Sequence, residues 1–231
     1  MAMSDQPNIA IVDYGMGNLY SVQLGCERAG ARGSITSEPE RIEQADAVIL
    51  PGVGAFGDAI AELRRTGMAD ALVAVARSGK PLFGICLGLQ LLMTESFEFG
   101  RHRGLGLIEG AVVRISEPKS STGVLKVPQV GWNRVWRTES HRWDSTPLMG
   151  LANGCFMYFV HSFVAVPAIR DVTVSVTWYG DTEFCSSICS DNVFACQFHP
   201  ERSGPAGLEM YRNFVDILRA GGRRALPAGR V

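Results

Sequence analysis

The stretch PLFGICLGLQLL, residues 81–92, changes character at its midpoint, where an apolar strand-like run gives way to an apolar run with helical spacing. Cys86 stands at the change, between Gly84 and Gly88, in the sulfur counterpart of the nucleophile elbow G-x-S-x-G. A helix that begins here directs free N–H groups and positive dipole at the sulfur, which favours the nucleophilic thiolate. The pattern predicts a cysteine nucleophile, but a buried strand cysteine beside turn glycines fits it equally well.

Upstream of this elbow, strand-like and helix-like stretches alternate. The strand-like stretches are NIAIVDYG (8–15), ADAVILPG (45–52) and KPLFGICLG (80–88), and the helix-like ones are NLYSVQLGCERAG (18–30), about 57–66, about 68–78 and LGLQLLMTES (87–96). Strands that alternate with helices predict a parallel sheet covered by helices on both faces.

Downstream, the chain is rich in strands. These are GLIEGAVVRI (106–115), VGWNRVW (130–136), GCFMYFVHSFVA (154–165), DVTVSVTWYG (171–180) and DNVFACQF (191–198). They predict an antiparallel or mixed extension of the same sheet, and a final helix over about 205–219 closes the fold. The fold class is therefore α/β, with a single domain over residues 8–220 and flexible termini at 1–7 and 221–231.

The composition of the chain excludes some classes of function. With 46% hydrophobic residues in 231, the chain has ample material for a sizeable core. Its 22 basic and 23 acidic residues give a net charge of -1, so no field of one sign is available to hold nucleic acid. The start MAMSDQP lacks the apolar core of a signal peptide, and no apolar run reaches membrane-spanning length. We expect a cytoplasmic protein that binds neither nucleic acid nor membrane.

Six cysteines are spread through the chain, at positions 26, 86, 155, 185, 189 and 196. In a cytoplasmic protein these are expected to be free thiols, most of them buried. Three of them, with His199, form the spacing C-x3-C-x6-C-x2-H, which matches no common zinc site. We therefore expect no metal and no cofactor.

A base for the cysteine is found in VFACQFHPERSG, residues 193–204. An apolar strand delivers His199, and Pro200 biases that histidine away from helical geometry and fixes a turn that brings Glu201 back towards the imidazole. A cysteine nucleophile needs a base, and the base needs an orienting carboxylate. Cys86, His199 and Glu201 supply these three groups, whereas either of the last two alone is more often structural.

The glycines of LPGVGAFGDAI, residues 50–60, match the dinucleotide fingerprint G-x-G-x-x-G. The nucleotide interpretation is disfavoured because Pro51 precedes the motif, the first β–α unit lies elsewhere, and no ribose-binding acid follows. Ligands of open parallel sheets bind at the carboxyl ends of strands, where both this loop and Cys86 are predicted to lie. We therefore expect the N–H groups of Val53 and Leu87 to bind the oxyanion of a tetrahedral intermediate.

These residues carry a resemblance to a known family. GICLGLQ with Cys86, and QFHPE with His199 and Glu201, resemble the triad-type (class I) glutamine amidotransferases. The further stretches DYGMGNL, LPGVGAF, VGWN and YFVHSF are similar to those of the glutaminase subunits of imidazole glycerol phosphate synthase. The resemblance covers about residues 8–220 and implies that Cys86 attacks the side-chain amide of glutamine, that ammonia leaves, and that water hydrolyses the thioester.

The resemblance also implies further site residues. The predicted substrate-binding residues are Gly52, Gln90, Glu98, Val160, His161, Ser162 and Phe163. The predicted contacts with a partner are Asn18, Trp132, Tyr158 and Arg202. The partner implied is a (β/α)8-barrel cyclase that forms a heterodimer with this chain and uses the ammonia to make imidazole glycerol phosphate and AICAR in histidine biosynthesis.

Three positions depart from the family pattern: Gln129 where histidine is usual, Leu89 where methionine is common, and Arg202 where lysine is common. They leave open a paralogous subunit that feeds ammonia to another synthetase, such as a sugar-modifying enzyme of surface-polysaccharide assembly. A peptidase-like cysteine hydrolase and a binding subunit with a dead site are more distant alternatives.

Overall fold

The computed structural model describes residues 6–121, 123–139 and 143–221. Over these ranges the helices are α1 (Leu19–Arg28), α2 (Pro39–Gln44), α3 (Phe56–Arg65), α4 (Met68–Arg77), α5 (Leu87–Leu91) and α6 (Gly204–Arg219). The strands are β1 (Asn8–Val12), β2 (Arg32–Thr36), β3 (Ala47–Leu50), β4 (Leu82–Ile85), β5 (Met93–Ser96), β6 (His102–Arg103), β7 (Ile108–Arg114), β8 (Lys119–Ser120), β9 (Gly123–Val124), β10 (Gln129–Arg137), β11 (Cys155–His161), β12 (Phe163–Pro167), β13 (Thr173–Tyr179), β14 (Thr182–Ser190) and β15 (Val193–Cys196). Most of the predicted flexible termini, residues 1–5 and 222–231, lie outside the described ranges.

The main sheet has the strand order β11-β10-β13-β14-β15-β4-β3-β1-β2. The pairs from β15 through β4, β3 and β1 to β2 are parallel, and the pairs from β15 outward to β11 are antiparallel. The prediction of a largely parallel centre with an antiparallel extension is therefore confirmed.

Two strands predicted for that extension lie elsewhere. β7 and β12 belong to a second sheet of order β12-β7-β5-β6. The run 154–165 was predicted as one stretch, but it divides at Ser162, where β11 ends in one sheet and β12 begins in the other. An apolar run shows that a strand is buried, and it does not show which strand will pair with it.

Three strands of four or more residues lie where the sequence predicted no strand, and the short elements α2, β6, β8 and β9 were not predicted either. The predicted helix over 87–96 ends at Leu91, and Met93–Ser96 pairs with β7 and β6 instead. β2 and β14 were not predicted, because RGSIT and TEFCSSICS contain too many small and polar residues to stand out as strands. In all three cases tertiary pairing overrides local pattern.

Apolar layers cover both faces of the main sheet. α1 and α6 pack on one face, with Val22, Met210 and Phe214 in that layer. α2 to α5 pack on the other face together with residues of the second sheet, such as Ile108 and Val112. No helix within the described ranges is long and apolar enough to cross a membrane.

Candidate active site

The site lies where three neighbouring strands end. In the main sheet β3, β4 and β15 are adjacent and parallel, so their carboxyl ends share one edge. Cys86 directly follows β4, the Pro51–Gly54 loop follows β3, and His199 lies three residues beyond β15. Residues more than a hundred positions apart thus meet at the edge where ligands of such sheets bind.

Cys86 occupies a strained turn. Its φ is 54° and its ψ is -107°, and it is the N-cap residue of α5. Its N–H donates to Cys196 O at 2.8 Å, which continues the pairing of β4 with β15 through the turn. A Cβ at position 88 would lie 1.8 Å from Leu50 O, and one at position 84 would lie 2.9 Å from Ala195 Cβ. The glycines on both sides of Cys86 are therefore required by backbone packing.

The His199 imidazole and the Glu201 carboxylate form a buried pair. Nδ1 of His199 and Oε1 of Glu201 are 2.8 Å apart, and their side chains are 4% and 2% exposed. Burial works against a charged imidazole, but the negative charges and hydrogen bonding of Cys86 and Glu201 outweigh burial and raise the pKa of His199 to about 10. His199 Nε2 has no hydrogen-bond partner of standard geometry among the described residues. A substrate-free site often leaves such a contact loose.

Hydrogen bonds to β11 hold the turn that carries the pair. His199 N–H donates to Tyr158 O at 2.9 Å, and Arg202 N–H closes the short 3₁₀ turn on His199 O at 3.0 Å. The Ser203 hydroxyl donates to His199 O at 2.7 Å and accepts the Tyr158 N–H at 3.0 Å. Pro200 begins the turn, and His199 before it has the extended φ of -106° that a following proline favours.

A cavity of about 270 Å³ opens beside Cys86. This volume is near the lower end of the range of about 300–1,000 Å³ for ligand pockets and suits a ligand of amino-acid size. The cavity is lined by Val53, Gly54, Cys86, Leu87, Gln90, Glu98, Pro128, Val160, His161, Ser162 and Phe163. Six of the seven predicted substrate-binding residues are among them.

The seventh, Gly52, does not line the cavity but precedes Val53, which does. A Cβ at Gly52 would lie 2.0 Å from Tyr14 Oη and 3.0 Å from Leu87 Cβ, so only glycine fits. The Tyr14 hydroxyl donates to Pro51 O at 2.8 Å, and burial together with the charge of Cys86 raises the pKa of that hydroxyl, which keeps it protonated.

The other two glycines of the G-x-G-x-x-G stretch have separate structural causes. Gly54 has a φ of +104°, which few other residues adopt. A Cβ at Gly57 would lie 2.7 Å from the His102 ring. Close packing and turn geometry therefore account for all three glycines. Val53, between the first two, is 42% exposed and lines the cavity with Leu87.

Polar groups in the cavity are already oriented. Nε2 of Gln90 donates to Phe163 O at 3.0 Å, and Oε2 of Glu98 accepts the Phe56 N–H at 2.6 Å. His161 contacts Phe163 O through Nδ1 at 3.0 Å, and because a carbonyl only accepts, Nδ1 carries the proton. Burial and, to a smaller extent, the charge of His199 lower the pKa of His161 to about 4 despite that bond, so its ring is neutral at neutral pH.

Three of the four predicted partner-contact residues form an aromatic cluster beside the base. The Trp132 and Tyr158 rings meet edge to face at 6.1 Å, and the Arg202 guanidinium lies 4.4 Å from the centroid of the Tyr158 ring. Tyr158 is also 6.5 Å from the His199 ring, while Trp132 is 55% exposed. The fourth, Asn18, is exposed and precedes α1.

The loop before Asn18 packs on the Pro51–Gly52 loop, since a Cβ at Gly17 would lie 3.9 Å from Gly52 Cα. Asn18 therefore lies at the same edge of the sheet as the predicted oxyanion residues.

The structure also brings together residues to which the sequence assigned no role. Pro128 lines the cavity, and Gln197 donates to Cys86 Sγ. Gln197 stands inside QFHPE, two residues before His199, so its position in that stretch was the available indication. The side chain of Gln129, a departure from the family pattern, is buried opposite His161 on paired strands.

The remaining cysteines are free thiols set into strands or helices. Burial raises the pKa values of Cys185 and Cys189 to about 12, so these thiols stay protonated. Within the described ranges no group of three or more His, Cys, Asp or Glu side chains is arranged to hold a metal ion.

Comparisons with known proteins agree with this geometry. The family profile "Glutamine amidotransferase class-I" matches residues 10–218. The chain is 46% identical over 210 residues to "Imidazole glycerol phosphate synthase subunit HisH" of Syntrophotalea carbinolica, covering 90% of this chain and 100% of that protein. It is 49% identical over 212 residues to the protein of the same name from Methanothermobacter thermautotrophicus, covering 92% and 100%.

Among solved structures, "Structure of PurLQS from Thermotoga maritima" has a TM-score of 0.70 at 22% identity, covering 92% of this chain and 99% of the other. A "Crystal structure of glutamine amidotransferase" has a TM-score of 0.67 at 21% identity, covering 91% and 98%. At these identities the likeness concerns the fold.

Proposed function

We propose the function of this chain from its family: it belongs to the class-I glutamine amidotransferases and, within them, to the HisH subunits of imidazole glycerol phosphate synthase. It is the glutamine-hydrolysing subunit of that enzyme and serves histidine biosynthesis. The identity of 42–49% to proteins of that name, over about nine tenths of the chain or more, favours this function over a paralogue that feeds another synthetase.

The reaction runs through a thioester on Cys86. The Cys86 thiolate attacks the side-chain amide carbon of glutamine, and the resulting oxyanion accepts the N–H groups of Val53 and Leu87. As the tetrahedral intermediate collapses, its C–N bond breaks and His199 gives its proton to the departing nitrogen, so ammonia leaves. Water, deprotonated by His199, then attacks the γ-glutamyl thioester and releases glutamate and the thiolate.

The charge state of the pair supports these roles. With its pKa raised to about 10, His199 is an imidazolium at neutral pH, so the proton needed by the leaving group is already in place. Glu201 accepts from the other ring nitrogen and fixes the tautomer, as the third member of a triad does.

Glutamine binds by its amino-acid head at the far end of the cavity. The Glu98 carboxylate has one oxygen bound to Phe56 N–H, and its negative charge suits the α-ammonium group. The Gln90 amide and the β11–β12 junction at Val160–Phe163 complete the pocket. A cavity of this size, ended by a buried carboxylate, excludes a peptide chain and disfavours a peptidase.

The ammonia passes to a cyclase subunit that docks over the Trp132–Tyr158–Arg202 cluster. Free ammonia at neutral pH is largely ammonium, which is no nucleophile, so a closed passage preserves it. The cluster offers an exposed aromatic ring and a guanidinium stacked on a second ring, the residue types enriched where partners bind. The partner is a (β/α)8-barrel protein in a heterodimer with this chain.

One observation carries the proposal: the buried His199–Glu201 pair lies close enough to Cys86 for the charge of Cys86 to raise the pKa of His199, and Cys86 lines a cavity of amino-acid size. The test measures product formation by the chain with the cyclase and its phosphoribosyl substrate, with either glutamine or ammonium as nitrogen source. Cys86→Ala is expected to abolish the glutamine-dependent rate and to leave the ammonium-dependent rate unchanged. Glutamine-dependent turnover by Cys86→Ala contradicts the proposal.

A further inference from the structure

A side-chain amide lies directly against the nucleophile. Nε2 of Gln197 is 3.5 Å from Cys86 Sγ, a normal length for a hydrogen bond to sulfur. Gln197 follows β15, the strand next to β4, and its side chain is fully buried. Its backbone N–H donates to Ser186 O at 2.9 Å, so the residue is held by the main sheet and does not belong to a mobile loop.

The orientation of this amide follows from its neighbours. A backbone carbonyl, Phe163 O, lies 3.0 Å from the Gln90 amide, and because it only accepts, the group facing it is the Gln90 nitrogen. The same nitrogen lies 3.1 Å from the Gln197 amide and therefore faces the Gln197 oxygen. The NH₂ group of Gln197 is left to face the sulfur.

We propose that Gln197 donates a hydrogen bond to the Cys86 thiolate, and that Gln90 is a positioning residue that holds the Gln197 amide in the donating orientation. A donor aimed at an ionised acceptor stabilises the ionised form, and such charge-assisted bonds are roughly twice as strong as neutral ones. The bond is made to the free thiolate and weakens when the sulfur is acylated. Gln197 therefore favours both the resting thiolate and its departure when the thioester is hydrolysed. This inference deepens the proposed function and rests on it for the role of the thiolate.

Gln90 thereby has a second task besides lining the glutamine pocket. The Gln90 nitrogen donates hydrogen bonds to Phe163 O on β12 and to the Gln197 oxygen, and the Gln197 nitrogen donates to Cys86 Sγ. These three hydrogen bonds link Phe163 O to the nucleophile without a break. Because every member is buried, an amide turned the wrong way would place oxygen against a thiolate.

The test is the pH profile of Cys86 alkylation by iodoacetamide, read at the Cys86 peptide by mass spectrometry. This reaction reports the thiolate and needs neither glutamine nor the cyclase. Gln197→Met keeps the length of the side chain and removes the donor. We expect alkylation at neutral pH to slow by about tenfold or more, the size of a hydrogen bond to a charged group, and to recover at alkaline pH, where the thiol ionises without help.

Gln90→Met is the second variant. It frees the Gln197 amide to turn, so the profile should move in the same direction by a smaller amount. The matched control is Thr177→Val, which changes a fully buried β13 side chain whose hydroxyl has no hydrogen-bond partner among the residues that the structure describes. The Cys86 sulfur bonds Val160 O and Gln197 and not this hydroxyl, so the profile should match the wild type.

An unchanged profile in Gln197→Met overturns the inference, and so does a rate lowered equally at every pH, which is the result of misplacement alone. If Gln197→Met does not fold, Gln90→Met decides in the same way. If the variants show these shifts but the wild-type chain does not supply glutamine nitrogen to the cyclase, the proposed function is refuted and the inference stands.

Discussion

The loop that carries the nucleophile and the loop that carries the base are built by different means. The Cys86 elbow is shaped by steric exclusion, since added Cβ atoms at Gly88 and Gly84 would lie within 1.8 Å and 2.9 Å of other atoms. The His199 turn is shaped by hydrogen bonds, with Tyr158 and Ser203 binding its backbone. Steric exclusion tolerates no substitution, whereas a set of hydrogen bonds weakens one bond at a time. Mutations in the two loops should therefore differ in how abruptly activity is lost.

The largest effect is expected at the elbow. In Gly88→Ala the added methyl collides with Leu50 O at 1.8 Å, and both atoms belong to rigid elements. We expect a loss of stability of about 3 kcal/mol or more, from overpacking, and no measurable glutaminase activity. Urea unfolding and glutamine turnover provide the measurements. A stable, active Gly88→Ala enzyme would show that the elbow is not sterically determined.

The next effect concerns the base. In Glu201→Gln the amide is able to donate to His199 and favour the wrong tautomer, and we expect kcat to fall by about 10²- to 10⁴-fold. Fold and cavity should be unchanged, which distinguishes this variant from Gly88→Ala. Circular dichroism and steady-state kinetics with the cyclase provide the measurements. A loss under about threefold would deny Glu201 a role in orienting the base.

The pH dependence of stability also tests the contribution of Glu201 to the charge state of His199. A pKa raised from 6.5 to about 10 means that the contribution of His199 to stability is full below about pH 6.5 and is lost as the pH rises towards 10. In Glu201→Gln one source of this raised pKa is removed, so the decline should be complete at a lower pH. Unfolding free energies of both proteins across this window provide the measurement. If the unfolding free energies of the two proteins depended on pH in the same way, Glu201 would not be a cause of the raised pKa of His199.

The smallest effect is expected from the loss of one hydrogen-bonding side chain, Ser203, from the turn. Ser203→Ala removes the hydroxyl that binds His199 O and leaves the partly buried Tyr158 N–H without that partner. We expect a cost of about 1–3 kcal/mol in stability and a partial loss of activity, because the other hydrogen bonds of the turn remain. Thermal unfolding and kinetics provide the measurements. Complete inactivation would show that the turn depends on one bond and is as intolerant as the elbow.

Sequence pattern predicts β1, β3 and β4 of the parallel half and the helices α1, α3 and α4, because these elements follow local rules, whereas the polar edge strand β2 was not predicted. The β4–Cys86–α5 unit has apolar runs, glycines and a change of period within a dozen residues. The antiparallel half is less predictable. β14 contains buried serines whose hydroxyls form hydrogen bonds with Ser175. Because these residues are polar, the sequence pattern does not identify β14 as a strand of the core.

The site divides in the same manner. Cys86, His199 and Glu201 stand in short recognisable stretches, and the structure brings them together, although their roles stay a prediction. Gln197 contacts Gln90 across 107 positions, and its donor role depends on which way an amide faces. A linear pattern does not encode that orientation, since it is set by a backbone carbonyl on a strand of the second sheet.

The most direct test of the central claim is to detect the γ-glutamyl thioester itself. The chain, bound to the ligand-loaded cyclase, is mixed with glutamine and quenched in acid, and its peptides are weighed by mass spectrometry. We predict a γ-glutamyl adduct on the peptide that contains Cys86, absent from Cys86→Ala. Glutamine hydrolysis without an adduct at Cys86, or with an adduct on another cysteine, would contradict the account.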